Sequence, residues 1–248
     1  MIETETRVST RYGSMPTFTV HPAGAGPWPV VVLLMDAPGI REELRNHARR
    51  IARQGYYCLL PDLYYRLGLL RLDLPRRDEA MSAVVGAAFR SITDANIRED
   101  CAGLLSFIDA QEAAPAGAGV GLVGYCMSGR CAVVAAAALG QRIRAAASLY
   151  GVRLATDAPD SPHLHLQGIG AGLYFAFGEH DSATPAQQIE QLRSALRAAD
   201  CNFTLDVFPG ADHGFMFAEG RNYAHGAAEQ AWARVFELLA RQLRPPEA

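Results

Sequence analysis

Short runs of apolar residues alternate with amphipathic stretches along most of the chain. Residues 30–35 and 120–123 are continuously apolar, which is typical of strands that are buried on both faces of a sheet. The same pattern predicts further strands at residues 56–60, 145–150, 173–177 and 204–208. Apolar residues at helical spacing predict helices at residues 41–54, 94–113, 130–139, 185–199 and 223–243, with a weaker helical pattern from about residue 80.

The order of these elements predicts the fold class. Strands alternate with helices from residue 30 onward, which favours an α/β fold with a mostly parallel central sheet and helices on both faces. Residues 8–20 break at Tyr12-Gly13-Ser14 and predict an antiparallel hairpin at one edge. Residues 63–75 lack periodicity, and we interpret them as a rim or lid. Because the chain has 248 residues, half of them apolar, and no internal repeat, we expect one domain over residues 1–248.

Composition narrows the function mainly by exclusion. The net charge of −3 and a pI near 6.2 give no basic surface for nucleic acid. The five cysteines are an odd number without metal-binding spacing, so a reducing compartment is favoured over a disulfide framework. The amino terminus lacks the pattern of a signal peptide, and no apolar run reaches membrane-spanning length. We therefore expect a cytoplasmic protein, either a monomer or a homodimer, that binds neither nucleic acid nor membrane.

The most informative motif is Gly-Tyr-Cys-Met-Ser-Gly at residues 124–129, between a predicted strand and an alanine-rich helix. Small residues, Gly124 and Ser128, lie two positions away from Cys126 on each side, as in a nucleophile elbow, where a strained turn leaves no room for larger side chains. The turn also places the thiol at a helix N-terminus, where the dipole and free N–H groups favour a thiolate and a developing oxyanion. The motif predicts covalent catalysis by Cys126.

Two later strand ends supply the other parts of a catalytic site. Ligands of parallel sheets lie beyond the carboxyl ends of the strands. Asp181 follows the strand at residues 173–177, and His213 follows the strand at residues 204–208. Nucleophile, acid and histidine in this order are typical of α/β-hydrolases. We predict that Cys126 attacks, His213 transfers the proton and Asp181 orients the imidazole.

Neighbouring side chains keep alternatives open. Ser128 competes with Cys126 as the nucleophile, and Cys131 offers a redox partner for Cys126. The competitors in the other two roles are Glu179 and Asp206 for the acid, and His180 and His225 for the base. His163 and His165 suggest two metal ligands, but no third ligand lies at a sensible spacing, so we expect no metal site.

The motifs resemble the dienelactone hydrolase family of α/β-hydrolases over nearly the whole chain. The resemblance is carried by residues 61–64 (Pro-Asp-Leu-Tyr), 124–129, 178–181 (Gly-Glu-His-Asp) and 210–215 (Gly-Ala-Asp-His-Gly-Phe). It implies that Cys126, His213 and Asp181 open a lactone or cleave an ester through an acyl-enzyme. It also implies an oxyanion hole made by the backbone N–H groups of Ala37 and Met127. Such chemistry needs neither a metal ion nor an organic cofactor.

Two positions depart from the pattern of that family. The founding enzyme has a glutamate that interacts with the resting thiol, and Asp36, one methylene shorter, stands there instead. The founding enzyme also has an arginine that grips the substrate carboxylate four residues after the histidine, and this chain has Phe217. We therefore expect a small-molecule ester or lactone with a more apolar acyl part than dienelactone.

Other candidates near the predicted site carry weaker indications. The residues that we consider for lining the pocket, besides Phe217, are Tyr64, Tyr65, Arg66, Tyr150 and Phe215. Asp36 is open to two interpretations, since it suits contact with the thiol and equally suits capping of the helix that begins near residue 40. Two other functions also stay open: a ligand-binding relative with weak catalysis, and a thiol redox protein.

Overall fold

The structure is a computed structural model that describes residues 1–70, 72 and 78–243. Part of the predicted rim or lid, residues 71 and 73–75, lies outside the described residues. The chain divides into two compact units, Met1–Ala118 and Gly119–Ala248. The expectation of one domain over residues 1–248 stays a prediction.

The described residues of the first unit include four strands, and the unit begins with the predicted hairpin. The strands are β1 (Ile2–Thr10), β2 (Gly13–His21), β3 (Val30–Leu34) and β4 (Tyr57–Pro61). β2 pairs antiparallel with both β1 and β4, whereas β3 pairs parallel with β4. Every residue of β3 and of β4 is buried, as their continuous apolar character predicts.

The α-helices among the described residues of the first unit are α1 (Glu42–Arg53), α2 (Glu79–Ser91) and α3 (Asp94–Asp109). The apolar side chains of α1 recur at helical spacing, and the helix packs against β2 and β4. It ends at Arg53, and Gly55, two residues later, has a φ of 87°. The Thr93 hydroxyl accepts a hydrogen bond from the Asn96 N–H and caps α3. α3 packs against β1 so closely that a Cβ on Gly103 would lie 2.9 Å from the Ser9 carbonyl oxygen.

The second unit holds the predicted elbow and the strands after it. Its strands β5 (Val120–Tyr125), β6 (Ile143–Leu149), β7 (Gly172–Gly178) and β8 (Phe203–Phe208) are all parallel and pair in that order. Its helices are α4 (Met127–Leu139), α5 (Ala186–Ala198) and α6 (His225–Leu243). β5 and β7 are buried at every residue, and successive side chains of a strand point to opposite faces, so both faces of these strands are covered.

The predicted fold class is confirmed: strands that are mostly parallel alternate with helices. The largest difference is at the first strand, which begins at Ile2 rather than at residue 8, and the next largest lie at helix ends. α3 stops at Asp109 rather than at residue 113, and α4 begins three residues early because Cys126 itself is its N-cap. Among the helices of the described residues, none is long and apolar enough to cross a lipid bilayer.

Candidate active site

Cys126 sits on a strained turn between β5 and α4. Its backbone has φ 53° and ψ −115°, in the left-handed φ range that residues other than glycine rarely adopt. The Cys126 N–H donates to the Leu149 carbonyl at 3.0 Å, and the Cys126 carbonyl accepts from the N–H groups of Gly129 and Val152 at 3.1 Å each. These three bonds hold the turn, and the side chain at its apex is half-buried rather than enclosed.

The glycines on either side of Cys126 are there because nothing larger fits. A Cβ on Gly124 would overlap the Ser128 backbone. A Cβ on Gly129 would lie 2.5 Å from both the Gly151 Cα and the Ser148 Oγ, closer than real Cβ atoms approach other atoms. The glycines near Cys126 are therefore explained by the lack of room for a side chain, as a nucleophile elbow requires.

Ser128 forms part of the framework of this turn. It is fully buried, and its hydroxyl accepts from the Tyr125 N–H at 2.9 Å and donates to the Tyr125 carbonyl at 3.0 Å. Both bonds tie the end of β5 to the first turn of α4. The half-buried Cys126 is thus better placed than Ser128 to meet a substrate.

His213 and Asp181 meet at the ends of two neighbouring strands. His213 Nδ1 lies 2.7 Å from Asp181 Oδ2, and the Asp181 carboxylate also accepts the Ala183 N–H at 2.8 Å. Asp181 is only 3% exposed. Burial raises the pKa of Asp181, but the hydrogen bond and positive charge of His213, together with the Ala183 N–H, lower that pKa below its usual value. The carboxylate is therefore ionised and holds the imidazole through Nδ1.

The imidazole of His213 links Asp181 to Cys126. Burial alone lowers the pKa of His213, but its hydrogen bonds to Asp181 and to Cys126, with the negative charges of both groups, raise that pKa to about 10. His213 is therefore a cation at neutral pH, placed beside the thiol. Such a cation is the usual means by which proteins stabilise a reactive thiolate.

Three polar side chains fix the loop that carries His213. Asp212 Oδ1 accepts the His213 N–H at 2.6 Å, and Asn222 Nδ2 donates to the His213 carbonyl at 2.9 Å. The Glu179 carboxylate accepts the Gly210 N–H at 2.9 Å. Sequence reasoning missed Asn222, which lies in an irregular segment and matches no motif.

The competing acids and bases have other environments. Asp206 accepts a hydrogen bond from the Tyr174 hydroxyl at 3.2 Å, and Glu179 is bound to the loop backbone. The His225 Nδ1 lies 2.9 Å from the Tyr223 hydroxyl, and the side chain of His180 is largely exposed. Of the candidate histidines, His213 is the one that contacts a buried carboxylate and Cys126.

The predicted aromatic residues of the second unit are buried. Tyr150, Phe215 and Phe217 are at most 5% exposed. Phe217 packs against Tyr125 and Tyr150, with ring centroids 5.0 and 6.4 Å away. Tyr150 also contacts the imidazole of His213, with the ring centroids 5.1 Å apart. The structure therefore shows these three rings packed beneath the site.

Asp36 is held by an arginine of its own unit. The Arg41 guanidinium donates to both carboxylate oxygens of Asp36, at 2.6 and 3.0 Å. The N-cap of α1 is Arg41, so the interpretation of Asp36 as a helix cap is wrong. Next to it, the Ala37 carbonyl accepts the Tyr64 hydroxyl at 2.8 Å.

Arg66 is committed to a buried carboxylate. Its guanidinium donates to both oxygens of Asp100 at 2.8–2.9 Å, and the Tyr65 hydroxyl donates to the same carboxylate at 2.8 Å. Asp100 is fully buried, and the Arg66 guanidinium also stacks on the rings of Tyr12 and Tyr65. A fork-shaped bond to a buried acid leaves this guanidinium little freedom to grip a substrate.

The remaining candidates, His163, His165 and Cys131, each have a polar neighbour. His163 Nδ1 lies 2.8 Å from the Ser161 hydroxyl, and His165 Nε2 lies 3.1 Å from the Pro159 carbonyl. No three His, Cys, Asp or Glu side chains among the described residues are grouped so as to hold a metal ion. Cys131 is buried, and its thiol donates to the Met127 carbonyl at 3.6 Å.

The fold and this site geometry place the chain among the α/β-hydrolases. The model of the dienelactone hydrolase family matches residues 15–243, and the chain belongs to that family. The protein is therefore a hydrolase that acts on lactones or carboxylic esters, with a small molecule as its substrate.

Individual relatives agree with the family. A Synechocystis protein described as "Putative carboxymethylenebutenolidase" is 27% identical over 240 residues, 92% of each chain. A crystal structure described as "Putative Dienelactone Hydrolase" from Klebsiella pneumoniae superposes with a TM-score of 0.86 and 26% identity, covering 97% of this chain and 98% of the other. A dienelactone hydrolase from Anabaena variabilis has the same fold, with a TM-score of 0.69 and 20% identity, covering 98% of this chain and 99% of its own.

Proposed function

We propose that the protein hydrolyses a small ester or lactone through a thioester on Cys126, with His213 and Asp181 as the other members of a triad. One observation carries the proposal: the imidazole of His213 is hydrogen-bonded to buried Asp181 through Nδ1, at 2.7 Å, and to Cys126 on the strained turn. An acid that orients a histidine, beside a presented nucleophile, is the arrangement that acyl transfer requires.

In the first half of the reaction, the Cys126 thiolate attacks the carbonyl carbon of the substrate. The carbonyl oxygen becomes an oxyanion, and the N–H of Met127, the first residue of α4, is the donor that the family resemblance implies for it. The Ala37 N–H, implied by the family resemblance as the second donor, stays a prediction. When the carbon–oxygen bond breaks, the His213 imidazolium gives its proton to the departing alcohol oxygen, and the acyl group remains on sulfur.

In the second half, water releases the acyl group. The neutral imidazole of His213 takes a proton from a water molecule, whose oxygen attacks the thioester carbon. The carbon–sulfur bond then breaks, the thiolate returns and the imidazolium is restored beside it. With a lactone, the alcohol formed in the first half stays attached to the acid that is released.

The proposed substrate has an apolar acyl part. Phe217 stands where the family resemblance suggests a carboxylate-binding arginine, and it packs among aromatic rings. Arg66, an arginine that we considered for lining the pocket, is bound to Asp100. Both observations favour a substrate without a carboxylate to be gripped at these positions. The cytoplasmic location and the monomeric or homodimeric state stay predictions.

Replacement of the nucleophile is the direct test. We expect Cys126→Ala to lower kcat/KM on a panel of p-nitrophenyl esters and simple lactones about 10³-fold or more, because the covalent route is lost. Cys131→Ala is the matched control, since it removes a buried thiol one turn further along α4 and should stay within about threefold of wild type. Mass spectrometry of rapidly quenched wild type should show one acyl group on Cys126.

The other outcomes separate the alternatives. Full activity of Cys126→Ala would overturn the proposed mechanism. Stoichiometric acylation of Cys126 without release would indicate a ligand-binding relative with weak catalysis. A Cys126–Cys131 bond that forms under mild oxidant and abolishes hydrolysis would favour a thiol redox protein.

A further inference from the structure

Tyr150 occupies an unusual position at the end of β6. Its φ is 40°, in the left-handed range that costs an aromatic residue free energy, and its N–H donates to the Ala176 carbonyl at 2.7 Å. The residues around it are bonded to the elbow: the Leu149 carbonyl accepts the Cys126 N–H, and the Val152 N–H donates to the Cys126 carbonyl. The strained backbone is thus held between β7 and the nucleophile turn.

The strained backbone places the Tyr150 ring against His213. The two ring centroids lie 5.1 Å apart with an angle of 67° between the planes, which is an edge-to-face contact. Tyr125 stacks on Tyr150 at 5.8 Å, and Phe215 and Phe217 meet it edge-on at 5.4 and 6.4 Å. With an exposure of 1%, the Tyr150 ring is a fixed surface for the imidazole.

A fixed surface matters because the imidazole must satisfy two partners at once. Rotation about the bond between Cβ and the ring of a histidine is soft, so little in the side chain itself sets the plane of the ring. Hydrogen bonds weaken steeply when the donor points away from the acceptor. The bonds of His213 to Asp181 and to Cys126 both depend on one ring orientation.

We propose that Tyr150 is a positioning residue that fixes the plane of the His213 imidazole, so that both imidazole nitrogens stay aligned with Asp181 and Cys126. The inference rests on the proposed function, in which His213 serves those two partners. Tyr150 itself touches neither the substrate nor the reacting atoms in this scheme. Its role is carried by the aromatic ring.

The groups around His213 determine what loss of the Tyr150 ring would do to the imidazole. Asp181 faces it from the end of β7, Cys126 from the elbow and Tyr150 from the end of β6, while Asp212 binds its backbone N–H. The bonds to Asp181 and Cys126 keep the pKa of His213 high. Without the ring, the imidazole rotates, both bonds weaken and the pKa of His213 falls.

The test compares Tyr150→Leu with Tyr150→Phe in the full chain. We expect Tyr150→Leu to lower the midpoint of the His213 titration by about one pH unit, as weaker hydrogen bonds to the charged form predict. Its kcat on p-nitrophenyl esters should fall about tenfold or more, with KM within about threefold, because orientation acts on the chemical step. Tyr150→Phe, which keeps the ring, should restore most of the loss.

The titration is followed by NMR of the imidazole nitrogens, and the His213 signals are identified by their disappearance in His213→Asn. Phe208→Leu is the matched control: it removes another buried aromatic, which contacts Phe215 at 5.3 Å. It should lower Tm without moving the His213 titration. Tyr150→Met fills more space without a ring and repeats the test if Tyr150→Leu does not fold.

The outcomes separate this inference from the proposed function. A His213 midpoint that is unchanged in Tyr150→Leu or Tyr150→Met would overturn the positioning role, whatever the activity. Equal shifts in Tyr150→Leu, Tyr150→Phe and Phe208→Leu would also overturn it, because general loosening would then be the cause. Full hydrolysis by Cys126→Ala would instead overturn the proposed function.

Discussion

The charge on His213 links the site to the stability of the fold. Its pKa is about 10 in the folded protein and near 6.5 in an unfolded chain. A group whose pKa is raised by folding stabilises the folded state while it is protonated in both states. The stabilising contribution of His213 is therefore complete below about pH 6.5 and is lost as the pH rises to about 10.

Removal of the imidazole should remove this pH dependence. We expect the free energy of unfolding of wild type to exceed that of His213→Gln by an amount that is constant below about pH 6 and shrinks by roughly 2 to 4 kcal/mol between pH 6.5 and 10. Urea unfolding at a series of pH values measures the difference. Two curves that stay parallel over this range would show that the contacts of His213 in the folded protein do not raise its pKa.

Single residues differ in how far the sequence predicts them. The tight turn at Cys126 was predictable because the small residues that indicate it stand within six positions of the sequence. The contact between His213 and Asp181 was predictable because each residue follows a strand, and parallel strands bring such residues to the same edge of the sheet. The bond of Asn222 to His213 and the contact of Tyr150 with the imidazole depend on loop conformation, which carries no periodic signal.

At the scale of elements, the turn from β5 to α4 is the part that tolerates least change. Its two glycines lie against backbone, and backbone atoms cannot move aside as the end of a flexible side chain can. We therefore expect small changes of volume there to displace the nucleophile as well as to destabilise the fold. A change of the same kind at a helical glycine with open space around it, such as Gly226, should matter far less.

Gly129→Ala and Gly226→Ala test this difference between two helical glycines. We expect Gly129→Ala to lower stability by about 1 to 3 kcal/mol and to cost most of the activity, because its Cβ would meet Gly151 and Ser148. Gly226, in the first turn of α6, has open space around an added Cβ, so Gly226→Ala should be neutral or stabilising by about 0.5 kcal/mol. Thermal unfolding and ester hydrolysis of both variants give the comparison. Equal effects would argue against a steric requirement at the elbow.

The elements themselves were predictable where burial is continuous or helical spacing is regular. β3 and β5 coincide with apolar runs, and α5 lies one residue inside its predicted limits at each end. α3 ends early because residues 110–113 leave the helix for a turn that the apolar pattern does not reveal. α4 starts early because its first turn is built by the elbow rather than by apolar periodicity.

At the scale of the whole molecule, fold and chemistry differ in how they depend on sequence. The Klebsiella structure shares 26% of its residues with this chain and still superposes with a TM-score of 0.86. Such agreement is expected, since a fold needs the right pattern and volume of apolar residues rather than particular ones. The substrate depends on a few side chains instead, which explains why the order of elements predicted the class and left the substrate open.

The proposed chemistry makes the whole enzyme dependent on one thiol and independent of metal ions. In the proposed mechanism the nucleophile is the sulfur of Cys126, so no metal is needed to generate a nucleophile from water. We expect dialysis against EDTA to leave ester hydrolysis within about twofold of its starting value, whereas one equivalent of iodoacetamide at Cys126 abolishes it. Peptide mapping of the alkylated protein, with Cys126→Ser as the control, identifies the modified thiol. Activity that is lost with EDTA and restored by Zn²⁺, or that survives complete alkylation of Cys126, would contradict a thiol-based hydrolase.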